Sequence, residues 1–250
     1  RMEWEAVPGA GYDIKSVWIS GFHRRLTPQN LLFPFKLIVS LIQSFSILRR
    51  FKPNIIVACG GFAAGPVGWV GAKLGIPLVI QEQNSFPGAT NRILANHATR
   101  IFTAFENARH FLPEEKIMLT GNPVRSSLSV SDKSEGLKHF DLSGDRPVLL
   151  ILGGSGGAKA INDAVEKQLD DLIHDSDIQV IWQCGKKYYD DIKSRINTDN
   201  YSGLRLLSYI DDMAAAYGAA TLVMTRAGAS TCSELMMIGQ PSVLVPSPNV

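Results

Sequence analysis

The chain has 250 residues, 45% of them hydrophobic and 19% charged, enough apolar mass for one large globular core or two modest ones, with typical domain sizes favouring two. Its 25 basic and 23 acidic residues leave a formal charge of +2, which excludes an overall field that holds nucleic acid, so no nucleic-acid partner is expected. No apolar run reaches the roughly 18 residues of a membrane span, and the opening RMEWEAVPGAGYDI lacks the basic-then-apolar pattern of a signal peptide. Cys59, Cys184 and Cys232 are far apart, with no CxxC spacing, and read as reduced core residues of a cytoplasmic protein.

The first strong pattern is helical. Residues 26–52 carry apolar side chains at Leu31, Phe35, Ile38, Ile42 and Phe45 and end in Arg49, Arg50 and Lys52. Such a stripe either faces a core or rests on an anionic leaflet, and both readings stay open. Strands are expected at 55–59, 77–80, 100–103 and 117–120, each followed by glycine, proline or polar punctuation and then a helical period. The first leads into a glycine-rich turn over 60–65, and the second into Gln81, Glu82, Gln83 and Asn84. Polar groups at the C-terminal ends of parallel strands line the crevice where such sheets bind ligands, although loop hydrogen bonding explains Glu82 and Asn84 equally well. GNPVR, residues 121–125, closes this half, and the charged, serine- and glycine-containing stretch 126–146 reads as a domain linker.

A second series of strands is expected at 148–152, 179–183, 205–207, 222–225 and 242–245. Several are apolar on both faces, so the fold class is α/β, with parallel sheets covered by helices through right-handed crossovers. The strand PVLLIL runs into GGSGGAKAIND, a turn whose amides approach a diphosphate closely at the start of a helix near Ala158. A tight turn without a ligand is the alternative, and the spacing is not the GxGxxG of dinucleotide folds. In SYIDDMAAAYGAA, Asp211 or Asp212 suits a helix N-cap better than a metal site, and no histidine cluster suggests zinc. After TLVMT, the small residues Ala227, Gly228, Ala229, Ser230 and Thr231 open another helix. Its Glu234, one turn in, either accepts ribose hydroxyls or complements the helix dipole.

LGGSGGAKAIN, then WQCGKK, then YIDDMAAAYGAATLVMTRAGASTCSELMMIGQPSVLVP, in that order, resemble the donor-binding half of the MurG family of N-acetylglucosaminyltransferases. IIVACGGFAAGPVGWVGAKLGIPLVIQEQNSFPGATNRILA and GNPVR are similar to its acceptor half and interdomain segment. The resemblance spans essentially the whole chain, and it implies a GT-B glycosyltransferase with two Rossmann-like parallel-sheet domains facing a cleft. Residues 1–125 would form the acceptor and membrane-facing domain, 126–146 a linker and 147–250 the donor domain. It further implies that the chain begins after the family's first strand and glycine loop and stops before its glutamine-rich sugar-reading segment.

Carried over by position, Gly154, Ser155 and Gly156 with Ala229, Ser230 and Thr231 meet the donor diphosphate, Ile210 the uracil through its backbone, and Glu234 the ribose. Arg125 clamps phosphate, or is an exposed loop arginine. Gly60, Gly61, Phe62 and Asn84 line the acceptor cleft, with Glu82 the candidate base. Phe62 stands where the family often has tyrosine, so no hydroxyl role is expected of it, and the donor loop reads GGSGGA where GGSQGA is usual. The implied activity is inverting transfer of N-acetylglucosamine from UDP-N-acetylglucosamine to the 4-hydroxyl of a polyprenyl-diphosphate-linked muramoyl-pentapeptide, on the cytoplasmic face of the membrane, in peptidoglycan and cell wall biogenesis. No metal or cofactor is implied. Another GT-B glycolipid glycosyltransferase or a non-catalytic nucleotide-sugar-binding subunit would share the donor motifs. A dinucleotide oxidoreductase lacks its fingerprint here.

Overall fold

A computed structural model describes residues 3–21, 31–125, 128, 132–154 and 156–247. The chain divides into two units between Asn122 and Pro123. The first contains α1 (Glu3–Gly9), α2 (Phe33–Phe51), β1 (Ile56–Ala58), α3 (Ala64–Lys73), β2 (Leu78–Glu82), α4 (Ala89–Ala95), β3 (Arg100–Thr103) and β4 (Ile117–Leu119). Its strands pair in chain order, all parallel, with Ile56 opposite Leu78 and Ile80 opposite Ile101. Their inward side chains join Leu48 of α2, Val70 of α3 and Leu94 of α4 in one core.

The orientation of α2 shows which of its residues face the core. Ser40, Ser44 and Leu48, spaced four apart on one face, are its buried residues. Each serine hydroxyl bonds back to the helix, Ser40 Oγ to the Leu37 carbonyl at 2.8 Å and Ser44 Oγ to the Ser40 carbonyl at 2.6 Å, so their burial leaves no unmet donor. Phe35, Ile38, Ile42 and Phe45 point outward, 45 to 64% exposed. The part of the expected helix before residue 31 lies outside the described residues.

The second unit contains α5 (Lys133–His139), β5 (Val148–Leu152), α6 (Lys159–Lys167), β6 (Gln179–Gln183), α7 (Tyr189–Arg195), β7 (Leu204–Leu207), α8 (Met213–Ala219), β8 (Leu222–Arg226), α9 (Ala229–Ile238) and β9 (Ser242–Val245). The sheet is parallel throughout, in the order β7-β6-β5-β8-β9. Alternation along β5 divides its side chains between two cores. Leu150 and Leu152 pack with Ala216 and Tyr217 of α8 and Leu235 of α9, whereas Ile151 packs with Ile161 and Val165 of α6 and Ile192 of α7. Burial on both faces is what a parallel sheet under two helical layers requires.

Among the described residues of the stretch 126–146, Asp132 caps α5 by accepting from the Ser134 amide at 2.9 Å, and Leu137 and Phe140 enter the core of the second unit. One expectation is corrected. The cysteines are not uniformly core. Cys184 is buried, and its thiol is pushed up to about 11 by burial, but Cys232 is half-buried and Cys59 is exposed.

Helix α5 approaches α8 so closely that only glycine fits at position 136. A Cβ there would lie 2.5 Å from both the Ala215 carbonyl oxygen and the Ala219 amide nitrogen, backbone atoms that cannot swing aside. Gly136→Ala would gain about 1 kcal/mol of helix propensity but incur roughly 1–3 kcal/mol of overpacking. The expected outcome is a lower melting temperature in a thermal scan. An unchanged or higher one would show that the two helices separate freely.

Candidate functional site

In the second unit β5 is bonded on one side to β6 and on the other to β8, with Leu152 opposite both Gln183 and Thr225. The connections leaving β5 and β8 therefore diverge over opposite faces of the sheet, which opens the crevice where parallel α/β sheets receive ligands. A cavity of about 130 Å³ lies there, and Arg125, Gly154, Ile210, Thr231 and Glu234 all line it. Five of the expected donor residues, from four separate segments, thus meet at one point.

Glycine shapes the turn after β5. Gly154 and Gly157 have φ of +79° and +74°, and the Gly157 amide donates to the Gly154 carbonyl at 3.0 Å. A Cβ on Gly157 would also collide with the Cys184 carbonyl. From β6, Gln183 Nε2 donates to the Gly154 carbonyl at 3.1 Å. Asn162 of α6 ties the helix to the same strand, donating to the Cys184 carbonyl at 2.9 Å and accepting from the Trp182 indole at 3.1 Å. Gly154 and Gly156 remain exposed, while Ser155 lies outside the described residues. Neither α6 nor α9 has a capping side chain; the cap positions are Ala158 and Gly228. At the start of α9, Ala229 and Thr231 are half-buried and Ser230 is exposed.

Glu234 sits one turn inside α9, its side chain 18% exposed. Tyr217 of α8 donates its hydroxyl to Glu234 Oε2 at 3.3 Å, and Arg125 Nη2 lies 3.7 Å from Oε1. Burial, followed by the charge of Glu234, raises the phenol's pKa, so Tyr217 stays a protonated donor. Arg125 is 64% exposed, and so loose a surface pair adds little stability. Asp212 is the N-cap of α8, accepting from the Ala215 amide at 2.9 Å, and this fixes the turn that carries Ile210. The Ile210 side chain is itself in the core, so its backbone is what a ligand would meet.

In the first unit Gly60 and Gly61, with φ of +84° and +78°, follow β1, and Phe62 is 59% exposed beside an apolar cavity of about 510 Å³ that Trp69 and Ile93 also line. Glu82 is buried, and its Oε1 accepts from the Asn84 amide at 2.9 Å and from Asn84 Nδ2 at 3.2 Å. Its Oε2 accepts from the Gly88 amide at 3.0 Å and from Asn91 Nδ2 at 2.8 Å. Four donors fill the four lone-pair sites of a carboxylate, which favours the loop-bonding reading of Glu82. Among the described residues no group of three or more His, Cys, Asp and Glu side chains is placed to hold a metal ion.

The glycosyltransferase family 28 N-terminal domain matches residues 1–103 and the C-terminal domain of the same family matches residues 148–250. The UDP-N-acetylglucosamine--N-acetylmuramyl-(pentapeptide) pyrophosphoryl-undecaprenol N-acetylglucosamine transferase of Flavobacterium psychrophilum is 47% identical over all of this chain and 68% of its own length. Its counterpart in Christiangramia forsetii is 44% identical with the same coverage. The crystal structure of Acinetobacter baumannii MurG superposes with a TM-score of 0.69 at 28% identity, covering all of this chain and 68% of that one. The chain belongs to the MurG family. It has the family's α/β GT-B architecture, with a parallel sheet in each of its two units.

Several residues around the cavity of this MurG homologue were not singled out from the sequence: Gln183, Tyr209, Met213, Tyr217 and Thr225. Gln183 and Thr225 stand at or near the C-terminal ends of parallel strands, the signal that drew attention to Glu82 and Asn84 in the other half. Tyr217 is the lone aromatic in an alanine-rich helix, which reads as core, and its ring is indeed buried.

The hydrogen bonds of Glu82 support a structural role. Glu82→Gln replaces an acceptor oxygen with an NH₂ that faces donors, an unmet buried contact of about 1–3 kcal/mol. A lowered melting temperature is expected in thermal denaturation. Unaltered stability together with abolished transfer would restore Glu82 as a catalytic group.

Proposed function

We propose that the chain transfers N-acetylglucosamine from UDP-N-acetylglucosamine to the 4-hydroxyl of N-acetylmuramic acid in a pyrophosphoryl-undecaprenol-linked muramoyl-pentapeptide. Membership of the MurG family supports the reaction. The observation that carries the site is the meeting of Gly154, Ile210, Thr231, Glu234 and Arg125 around one cavity at the switch point of the second sheet.

In this reading the amides after Gly153 and at the start of α9 receive the diphosphate, where the helix termini add partial positive charge, and Arg125 supplies a full one. The acceptor oxygen attacks the anomeric carbon opposite the leaving group. The bond from that carbon to the phosphate oxygen breaks, its electron pair departs with UDP, and the configuration inverts. The site acts chiefly by stabilising the charge that develops on UDP. Ile210 meets the uracil through its backbone and Glu234 accepts from the ribose hydroxyls. The acceptor reading rests on Gly60, Gly61, Phe62 and Asn84, whose turn and loop follow the adjacent parallel strands β1 and β2. With all four acceptor positions of Glu82 taken, the proton of the attacking hydroxyl goes to another base.

Calorimetric titration tests the donor site, using UDP-N-acetylglucosamine, UDP-glucose and NAD against this chain and its Glu234→Ala variant. The UDP sugars should bind and NAD should not, and the variant should bind UDP sugars about tenfold or more weakly, the scale of hydrogen bonds to a carboxylate. Transfer of labelled N-acetylglucosamine to the lipid-linked acceptor by the full-length protein tests the reaction. A folded chain that binds no UDP sugar, or a full-length protein that binds without transferring, overturns the assignment.

The same reading places the protein on the cytoplasmic face of the membrane, where the lipid-linked acceptor is reached. No described helix is long and apolar enough to cross a bilayer. Instead α2 offers Phe35, Ile38, Ile42 and Phe45 outward, with Arg49 and Arg50 in its last turn for anionic headgroups. The chain should float with vesicles containing anionic lipid, and Ile38→Asp with Phe45→Asp should abolish flotation without changing UDP binding. Flotation of the double variant at the level of the parent would remove α2 as the contact.

A further inference from the structure

Among the described residues, Tyr217 is the one fully buried side chain whose polar atom is directed at the cavity's carboxylate, and neither its motif nor the expected donor contacts gives it a role. The ring is 1% exposed, packed with Leu150, Leu152 and Leu235 between sheet and helices. Its hydroxyl donates to Glu234 Oε2 at 3.3 Å. A phenylalanine would fill the same core volume, so the hydroxyl is not needed for packing. Glu234 enters the cavity from α9 and Tyr217 from α8, the helix whose capped entry also carries Ile210.

We propose that Tyr217 is a positioning residue for nucleotide recognition: its hydroxyl holds one oxygen of the Glu234 carboxylate so that the remaining acceptor positions are aimed at the ribose. This rests on the reading of Glu234 as the ribose acceptor and adds how that carboxylate is oriented. A glutamate has three side-chain torsions, and an unheld one loses that freedom each time it binds. A hydrogen bond from a rigid buried ring removes much of the loss in advance. It also links the two halves of nucleoside recognition, because the helix that sets the backbone of Ile210 sets the carboxylate as well. Arg125 approaches the same carboxylate, but from an exposed position at 3.7 Å, and is the weaker restraint.

The test compares the affinity of UDP with that of 2′-deoxy-UDP by calorimetry, in the parent chain and in Tyr217→Phe, Glu234→Ala and the double variant, after thermal melts show that each is folded. The parent should prefer UDP by about tenfold or more, the worth of a hydrogen bond to a carboxylate. Glu234→Ala should bring the ratio near one. Tyr217→Phe should lower it to about threefold or less through weaker UDP binding, with 2′-deoxy-UDP affected less, and should add nothing in the Glu234→Ala background. Equal weakening of both nucleotides in Tyr217→Phe would mean a merely structural role and overturn the proposal. A parental ratio in Tyr217→Phe alongside a collapsed one in Glu234→Ala would do the same while leaving the ribose reading intact. A parental ratio in Glu234→Ala would remove the ribose reading and the proposal with it. Should Tyr217→Phe not fold, the titration is repeated with 3-fluorotyrosine in place of tyrosine, whose lowered phenol pKa alters the donor without altering the packing; an unmoved ratio there also overturns the proposal.

Discussion

The candidate donor site depends on one constraint, that β5 is hydrogen-bonded to a parallel neighbour on each side while the connections leaving β5 and β8 run over opposite faces of the sheet. Because β6 lies on one flank and β8 on the other, the turn after β5 and the turn after β8 open beside each other, and no connecting chain crosses between them. Each turn feeds a helix, so two helix starts face one gap. The price of this arrangement is backbone crowding. Gly157 and Gly185 approach so closely that a Cβ on either would strike the backbone of the other segment, and both have positive φ. The glycines of the motif are thus required first by the fold, and the exposed amides that suit a diphosphate follow from the same geometry.

The segment that sequence marks as a linker supports this site from behind. Helix α5 presses Gly136 against the backbone of α8, and Leu137 and Phe140 continue the core that surrounds the Tyr217 ring. Helix α8 is short, with small side chains except for Met213 and Tyr217, and has little surface of its own with which to fix its position. Its place is set by α5 on one side and by the sheet on the other. Substitutions in a stretch that looks like a tether are therefore expected to be felt at Ile210 and Glu234.

All nine strands of the described residues were legible in the sequence, because β-branched and leucine runs bounded by glycine, proline or polar residues carry a strong signal. Helix α5 was not legible, because KSEGLKH, a short helix with a polar face, has only Leu137 to announce its inner side, and the glycine that permits its packing looks like a breaker. At the site, residues within a glycine turn or a helix start were readable, since their chemistry is local. Gln183, Thr225 and Tyr217 were not, because their place at the cavity depends on which strands and helices become neighbours. The rule that polar residues at strand ends line a cleft would have found Gln183 and Thr225. Applied to the other half it found Glu82, a residue that organises a loop. Position at a strand end selects candidates but does not distinguish a group facing a ligand from one facing its own backbone.

Acceptor capacity makes that distinction for the two carboxylates. An ionised glutamate has about four lone-pair positions to satisfy. Glu82 meets four donors within its own loop and helix and is almost wholly buried, so a ligand would have to displace a bond to gain one. Glu234 has, among the described residues, one hydrogen bond from Tyr217 and a looser cation in Arg125, and part of its side chain reaches solvent. A carboxylate left so incompletely satisfied at the edge of a cavity retains water that a pair of hydroxyls can replace bond for bond. That exchange costs little desolvation beyond what the fold has already incurred, which is the condition that the proposed ribose contact sets on Glu234.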